Sequence, residues 1–261
     1  MRRLPRPPLP LVCPARFGAR ARRVLATFAL LAGLPWLAAA QPAPQPARPL
    51  ALVPPPPRAA VAAWAPPDRV AVEDRTLESA ALARAITYRV LLPAGYHGSA
   101  QRYPVLYLLH GLTGTYSDWE RRTQLTELLD AYRLIVVMPE GQNSWYGDAV
   151  GQASDKFESY ILDDLVSDVE KHYRAIGTRH GRAIAGLSMG GYGAMKFALK
   201  RPGAVLVAGS FSGAFSLVRA GAPAAPAAPP ANETPFSRVV RESVTAAYGP
   251  PGSEARAAND L

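Results

Sequence analysis

The chain has 261 residues, with 29 basic and 20 acidic side chains and a formal charge of +9 at pH 7. Seven of the basic residues and none of the acidic ones precede residue 41, so the remainder carries a net charge of only +2. That balance gives no ground for a nucleic-acid or anionic-membrane partner. The one cysteine, Cys13, lies in the same leading stretch, so no disulfide, thiolate metal site or cysteine nucleophile is available after it.

In chain order, residues 1–40 have the form of a signal peptide. Seven arginines between Met1 and Arg23 precede an apolar run from Val24 to Leu37, and Ala38-Ala39-Ala40 offers a small-residue cleavage site before Gln41. The run holds Pro35 and is shorter than the roughly 20 residues of a membrane span. The expectation is an exported protein, periplasmic or secreted, with no stable span once the signal is removed. Residues 41–67 are rich in proline and alanine and are expected to be a disordered linker. A domain of residues 68–261 follows. The stretch 221–235 is a second low-complexity patch, expected to be a surface loop.

Within that domain, Arg69–Leu77 and Ile86–Leu92 are expected to be strands joined by a turn. Tyr103–Leu109 and Leu134–Met138 are continuous apolar runs, as strands buried on both faces require. Apolar residues at Ile161, Leu162, Leu165, Val166, Val169 and Tyr173 give one face of a helix over Phe157–Tyr173, with Asp163, Asp164, Asp168 and Lys171 on its outer side. Strands at Ala183–Ala185 and Val205–Ser210 flank a helix over Ala194–Lys200. This alternation predicts an α/β fold with a mostly parallel sheet flanked by helices, and ligands at the carboxyl ends of its strands.

The chemistry concentrates at Gly186-Leu187-Ser188-Met189-Gly190, a G-x-S-x-G sequence between a strand and a helix. Such a turn exposes the serine hydroxyl and aims the Met189 amide at a developing negative charge. A Cβ at either flanking glycine would collide with the neighbouring strand or helix. His110-Gly111-Leu112-Thr113-Gly114 follows the third strand, where the second oxyanion donor is expected from the Leu112 backbone. His110 is expected to support that loop by hydrogen bonding, with Gly111 and Gly114 allowing it to turn. Trp145 and Tyr146, and similarly Trp119, are either walls of a substrate pocket or packed loop residues. No His, Asp and Glu spacing predicts a metal or a cofactor. No histidine follows Ser188, and Asp260 is the only later aspartate.

The segments LYLLHGLTG, VVMPEGQNSWYGD, YILDDLVSDVEKHYRAI, RAIAGLSMGGYGAMKFALKRP and GSFSGAF resemble, in order, the esterase D group of α/β-hydrolases. That group contains S-formylglutathione hydrolases, tributyrin and feruloyl esterases and the antigen 85 mycolyltransferases. The resemblance implies a serine carboxylesterase with Ser188 as nucleophile, Leu112 and Met189 as oxyanion donors, no cofactor, and a small-molecule, carbohydrate or lipid ester as substrate. An acyltransferase of the mycolyltransferase type and a non-catalytic family member are the alternatives. Members of the group continue beyond the part resembling Tyr248–Gly252 into strands that bring the acid and then the histidine. The sequence is therefore expected to be a C-terminally incomplete member whose last strands, acid and base are missing. Acyl and alcohol specificity, export route and oligomeric state are left open.

Overall fold

The computed structural model describes residues 69–217 and 232–261. These fall in one compact unit, Pro56–Leu261; the other unit, Met1–Pro55, lies outside them. The expected signal peptide, the linker and most of the 221–235 loop therefore also lie outside the described residues.

Six strands, β1 (Ala71–Ser79), β2 (Arg84–Leu92), β3 (Val105–Leu109), β4 (Ile135–Pro139), β5 (Arg182–Leu187) and β6 (Val207–Phe211), form one sheet in the order β1-β2-β4-β3-β5-β6. The β1–β2 hairpin is antiparallel and pairs antiparallel with β4. From β4 onward the sheet is parallel. It is the mixed, mostly parallel sheet of an α/β-hydrolase.

The apolar runs of β3 and β4 are buried on both sides, and alternate residues serve different cores. Val105, Tyr107, Leu109, Ile135 and Val137 join a large cluster. Leu108, Val136 and Met138 join a smaller one on the opposite face, which also takes Trp119 and Leu125. Those two residues belong to the short helices α1 (Asp118–Arg122) and α2 (Leu125–Leu129), which the periodicity did not indicate.

Helix α3 is one continuous segment made of a turn at Phe157–Ser159, a π-helical stretch at Tyr160–Leu165 and an α-helix at Val166–His172. Its apolar face, from Phe157 through Val169, packs into the large cluster as expected. Two of its aspartates do not lie on a solvated outer face. Asp164 accepts the Ser79 hydroxyl (2.6 Å) and the Ala81 amide (2.9 Å), and Asp168 accepts Arg75 Nε (2.9 Å) and the Tyr88 hydroxyl (2.5 Å). They tie the helix to the β1–β2 hairpin.

Helix α4 (Met189–Lys200) starts directly after Ser188, five residues earlier than the spacing suggested. Its Lys196 is fully buried, 2.8 Å from Glu158 Oε2, and donates to Tyr146 O (3.1 Å) and Tyr248 Oη (3.2 Å). Burial pushes this ammonium down to about 8, against the opposing pull of Glu158. Helix α5 (Pro235–Tyr248) begins inside the stretch expected to be loop. Thr234 caps it by accepting the Ser237 amide, and Pro235 sits in the first turn, where its missing N–H costs nothing. Helix α6 is Glu254–Ala257.

Candidate active site

Ser188 stands between β5 and α4 with φ 53° and ψ −111°, a conformation rare for a side chain other than glycine. Its backbone is held from three directions. Its N–H donates to Phe211 O (2.9 Å), and its carbonyl accepts Tyr192 N (2.9 Å) and Ala214 N (3.2 Å). The two flanking glycines are required sterically. A Cβ on Gly186 would lie 2.4 Å from Gly190 C, and one on Gly190 would lie 2.5 Å from Leu109 O. The helix thus runs against both its own strand and the neighbouring β3, so the turn is possible only without those two Cβ atoms. The Met189 N–H opens α4 and belongs to the first-turn amides that have no intrahelical partner.

The loop after β3 lies beside this turn. A Cβ built on Gly111 would be 3.7 Å from Ser188 Cβ, in ordinary contact. Gly111 therefore marks closeness to Ser188 rather than a forced turn. Gly114 is the constrained glycine of the loop, since a Cβ there would be 2.9 Å from Asp118 Oδ2. The Gly114 N–H closes the turn on Gly111 O (3.0 Å). Thr113, at its third position, has φ 65°, unusual for a β-branched residue. Its N–H is taken by Asn143 Oδ1 (2.8 Å).

His110 is buried, 2% exposed, and both ring nitrogens are committed. Nε2 accepts the Gly141 N–H (2.8 Å), which places the ring proton on Nδ1, where it donates to Gly111 O (2.7 Å). Glu140 Oε1 is 3.4 Å from Nε2. Burial alone would raise the Glu140 carboxyl, but the hydrogen bonds donated by the amides of Gln142 and Tyr116 hold it below its usual value. His110 and Glu140 therefore join the loop after β3 to the loop after β4.

Trp145 and Tyr146 are packed inside the fold. They are 1% and 0% exposed, both at positive φ, with the Trp145 indole donating to Ser243 Oγ (2.9 Å) and the Tyr146 hydroxyl to His110 O (3.1 Å). Packing took them, because α5 and α4 close over this loop. The residue of that loop that does reach the site is Asn143. No periodicity or spacing marks it, because its role depends on a partner 30 residues earlier.

The other three histidines stand elsewhere. His97 is on the surface 3.9 Å from Glu73, His172 pairs with Asp168 one turn earlier (3.0 Å), and His180 is exposed beside the start of β5. Among the described residues, no group of three His, Cys, Asp or Glu side chains is placed to hold a metal. Nor is any described helix long and apolar enough to cross a membrane.

A family model described as Putative esterase matches residues 79–256, which span β2 to β6, the elbow and the loop after β3. The chain belongs to that esterase family. An esterase of Mycobacterium tuberculosis is 39% identical over 135 residues, 50% of this chain and 29% of that protein. An acetyl esterase of Caldicellulosiruptor saccharolyticus is 34% identical over 101 residues, 39% of this chain and 38% of its own length. The Mycobacterium avium diacylglycerol acyltransferase/mycolyltransferase Ag85B is 33% identical over 151 residues, 54% of this chain and 43% of its own length. The chain thus spans well under half the length of these curated relatives. Among solved structures, a ferulic acid esterase superposes with a TM-score of 0.50 at 33% identity, covering 54% of this chain and 58% of the other. An S-formylglutathione hydrolase of Staphylococcus aureus superposes with a TM-score of 0.54 over 71% of each chain. At 22% identity the latter shows the shared fold.

Proposed function

We propose that this esterase-family chain carries the nucleophile and oxyanion hole of an exported serine carboxylesterase. The observation that carries the proposal is the Ser188 turn. It is strained, sterically dependent on Gly186 and Gly190, and set beside Gly111, and the Met189 and Leu112 amides are assigned as its oxyanion donors. Ser188 Oγ attacks the ester carbonyl, and the oxyanion is held by those two N–H groups. Collapse expels the alcohol and leaves an acyl-serine, which water resolves. The substrate is a carboxylic ester of a small molecule, sugar or lipid. The Ag85B relationship supports a second reading, in which a sugar or glycerol hydroxyl resolves the same acyl-enzyme. Product analysis with glycerol or trehalose present separates the two.

The reaction needs a general base, and none of the four histidines supplies one, since His110 is committed at both nitrogens and the others stand away from the elbow. The base is therefore proposed to be a group other than these four histidines. By itself the chain is expected to hydrolyse p-nitrophenyl acetate at no more than the roughly 10³–10⁴-fold over water that oxyanion and binding effects supply. Added imidazole is expected to raise the part of the rate that Ser188→Ala removes. Equal rates for wild type and Ser188→Ala under imidazole would defeat the nucleophile assignment and leave a non-catalytic member as the better account. Strong turnover without imidazole, abolished by Ser188→Ala, would instead overturn the missing base. Export rests on residues 1–40, and an exported form whose amino terminus is Gln41 is the expected result of terminal sequencing.

A further inference from the structure

Gly190, Gly193 and Lys196 follow one another at intervals of three along α4, so they share one side of the helix. The two glycines leave that side bare. A Cβ on Gly190 would be 2.7 Å from His110 O, and one on Gly193 would be 2.9 Å from Tyr146 Cβ. Lys196 Nζ donates to Tyr146 O (3.1 Å) and lies 2.8 Å from Glu158 Oε2. Tyr146 in turn donates its hydroxyl to His110 O (3.1 Å), the same carbonyl that faces Gly190. Its ring also meets the loop after β4, since a Cβ on Gly141 would be 2.5 Å from Tyr146 Cε1. Tyr146 is thus wedged between α4 and the turns after β3 and β4. It sits there at φ 52°, directly after Trp145 at φ 55°. Such a pair persists only where its surroundings fix it. Here both carbonyls are bonded, that of Tyr146 by Lys196 and that of Trp145 by the Tyr248 hydroxyl (2.7 Å). Burial raises the Tyr146 hydroxyl well above its usual value, so it remains a donor across the working pH range.

We infer that Tyr146 is a positioning residue, whose hydroxyl on His110 O seats the proposed oxyanion loop against the Ser188 turn, with Lys196 and Glu158 as its anchor. The inference rests on the reading of Ser188 as the nucleophile and adds what fixes the spacing of the two turns. The β3–β5 ladder ends at the pair Leu109 and Gly186. His110 is the first residue beyond it, where strand pairing no longer sets the path of the chain. The Tyr146 hydroxyl takes over at that residue. Phenylalanine would fill the same space and lose only this bond. A displacement of about 1 Å by a residue outside the chemistry can cost roughly 100-fold in rate.

The test compares Tyr146→Phe with the full wild-type chain by amide hydrogen exchange. The reporters are the Thr113 and Gly114 amides of the loop, bonded to Asn143 Oδ1 and Gly111 O, and the Tyr192 amide of α4, bonded to Ser188 O. Both loop amides are expected to exchange about tenfold faster in the variant, with the Tyr192 amide unchanged. Imidazole-assisted turnover of p-nitrophenyl acetate is expected to lose at least about tenfold in kcat with KM unchanged. A second variant, Lys196→Met made together with Glu158→Gln, removes the anchor without touching either turn. It is expected to give the same local signature, and combining it with Tyr146→Phe is expected to add nothing further. Unchanged loop exchange in Tyr146→Phe would overturn the inference. So would faster exchange at all three amides together, which is the mark of a purely structural core residue, or full additivity of the two variants. Faster loop exchange in a chain whose wild type shows no Ser188-dependent turnover would instead overturn the nucleophile reading alone.

Discussion

Two turns follow two adjacent parallel strands, and they are held in different ways. The turn after β5 is pinned by the absence of atoms, because Gly186 and Gly190 let the helix lie against the backbone of its own strand and of β3. The turn after β3 is pinned by side chains. His110 and Asn143 bond backbone groups of this loop and the next, and Glu140 reaches across to Tyr116 N. The proposed nucleophile must point in one direction without adjustment, and steric exclusion does that. The proposed oxyanion loop must present an amide, and hydrogen bonds allow it to settle around a substrate. The difference predicts a graded response, steep at the first turn and shallow at the second.

The largest effect is expected at Gly190→Ala. Its Cβ would meet Leu109 O and His110 O, both backbone atoms with nowhere to move. Overpacking of this kind costs about 3 kcal/mol, the upper end of the usual range, which for a domain of this size lowers Tm by roughly 6–12 °C. Thermal unfolding of the variant checks it. A Tm within a degree or two of wild type would mean that the turn is not sterically determined.

His110→Phe is next. It keeps the ring volume but leaves the buried Gly141 N–H without an acceptor, at an expected cost of about 1–3 kcal/mol. The Ser188 turn makes no bond to that ring, so reactivity at Ser188 should fall less than stability does. A variant as stable as wild type would show that the imidazole does not bridge the two loops.

How visible these two turns are in the amino-acid sequence follows from how each is held. Gly186, Ser188 and Gly190 are neighbours in the chain, so the elbow and its steric reason could be read from five residues. Strands β3 and β4 were equally legible, because burial on both faces requires an unbroken apolar run. The fate of Trp145 and Tyr146 was not legible. It depended on Ser243, 98 residues away, and on a helix whose start is marked by little more than Thr234-Pro235. Asp164 and Asp168 looked like a solvated face for the same reason, since their partners Ser79, Arg75 and Tyr88 belong to a distant hairpin. Local sterics leave a local signature, whereas long-range polar bonds leave none.

Glu140→Gln sharpens the comparison through pH. The folded-state carboxyl lies below its usual 4.5, so its contribution is fully present above that value and is lost as pH falls through the depressed folded value. Wild type should therefore lose Tm on acidification partly through this group, and Glu140→Gln should lose less over the same range. At neutral pH the variant is expected to be less stable by about 0.5–1.5 kcal/mol, the worth of a typical hydrogen bond. Parallel Tm-against-pH curves for the two proteins would remove Glu140 from the account.

Asn143→Ala is expected to have the smallest effect on stability and the most local one. The side chain is exposed, so global stability should change by no more than about 0.5 kcal/mol. Yet Asn143 Oδ1 alone takes the Thr113 N–H, and Thr113 is a β-branched residue held at φ 65°. Without that acceptor the strained residue is expected to relax, and the Leu112 amide proposed as an oxyanion donor to lose its orientation. Hydrogen exchange at the Thr113 amide should quicken by about tenfold, the equivalent of one ordinary hydrogen bond, while amides in β3 and α4 keep their protection. Imidazole-assisted turnover that depends on Ser188 should fall with it, because one oxyanion donor is worth roughly 2.7–4 kcal/mol when lost entirely. Asn143→Asp, which keeps the acceptor oxygen, should restore both. Unchanged exchange at Thr113 in the alanine variant would mean that the Asn143 bond does not shape this loop.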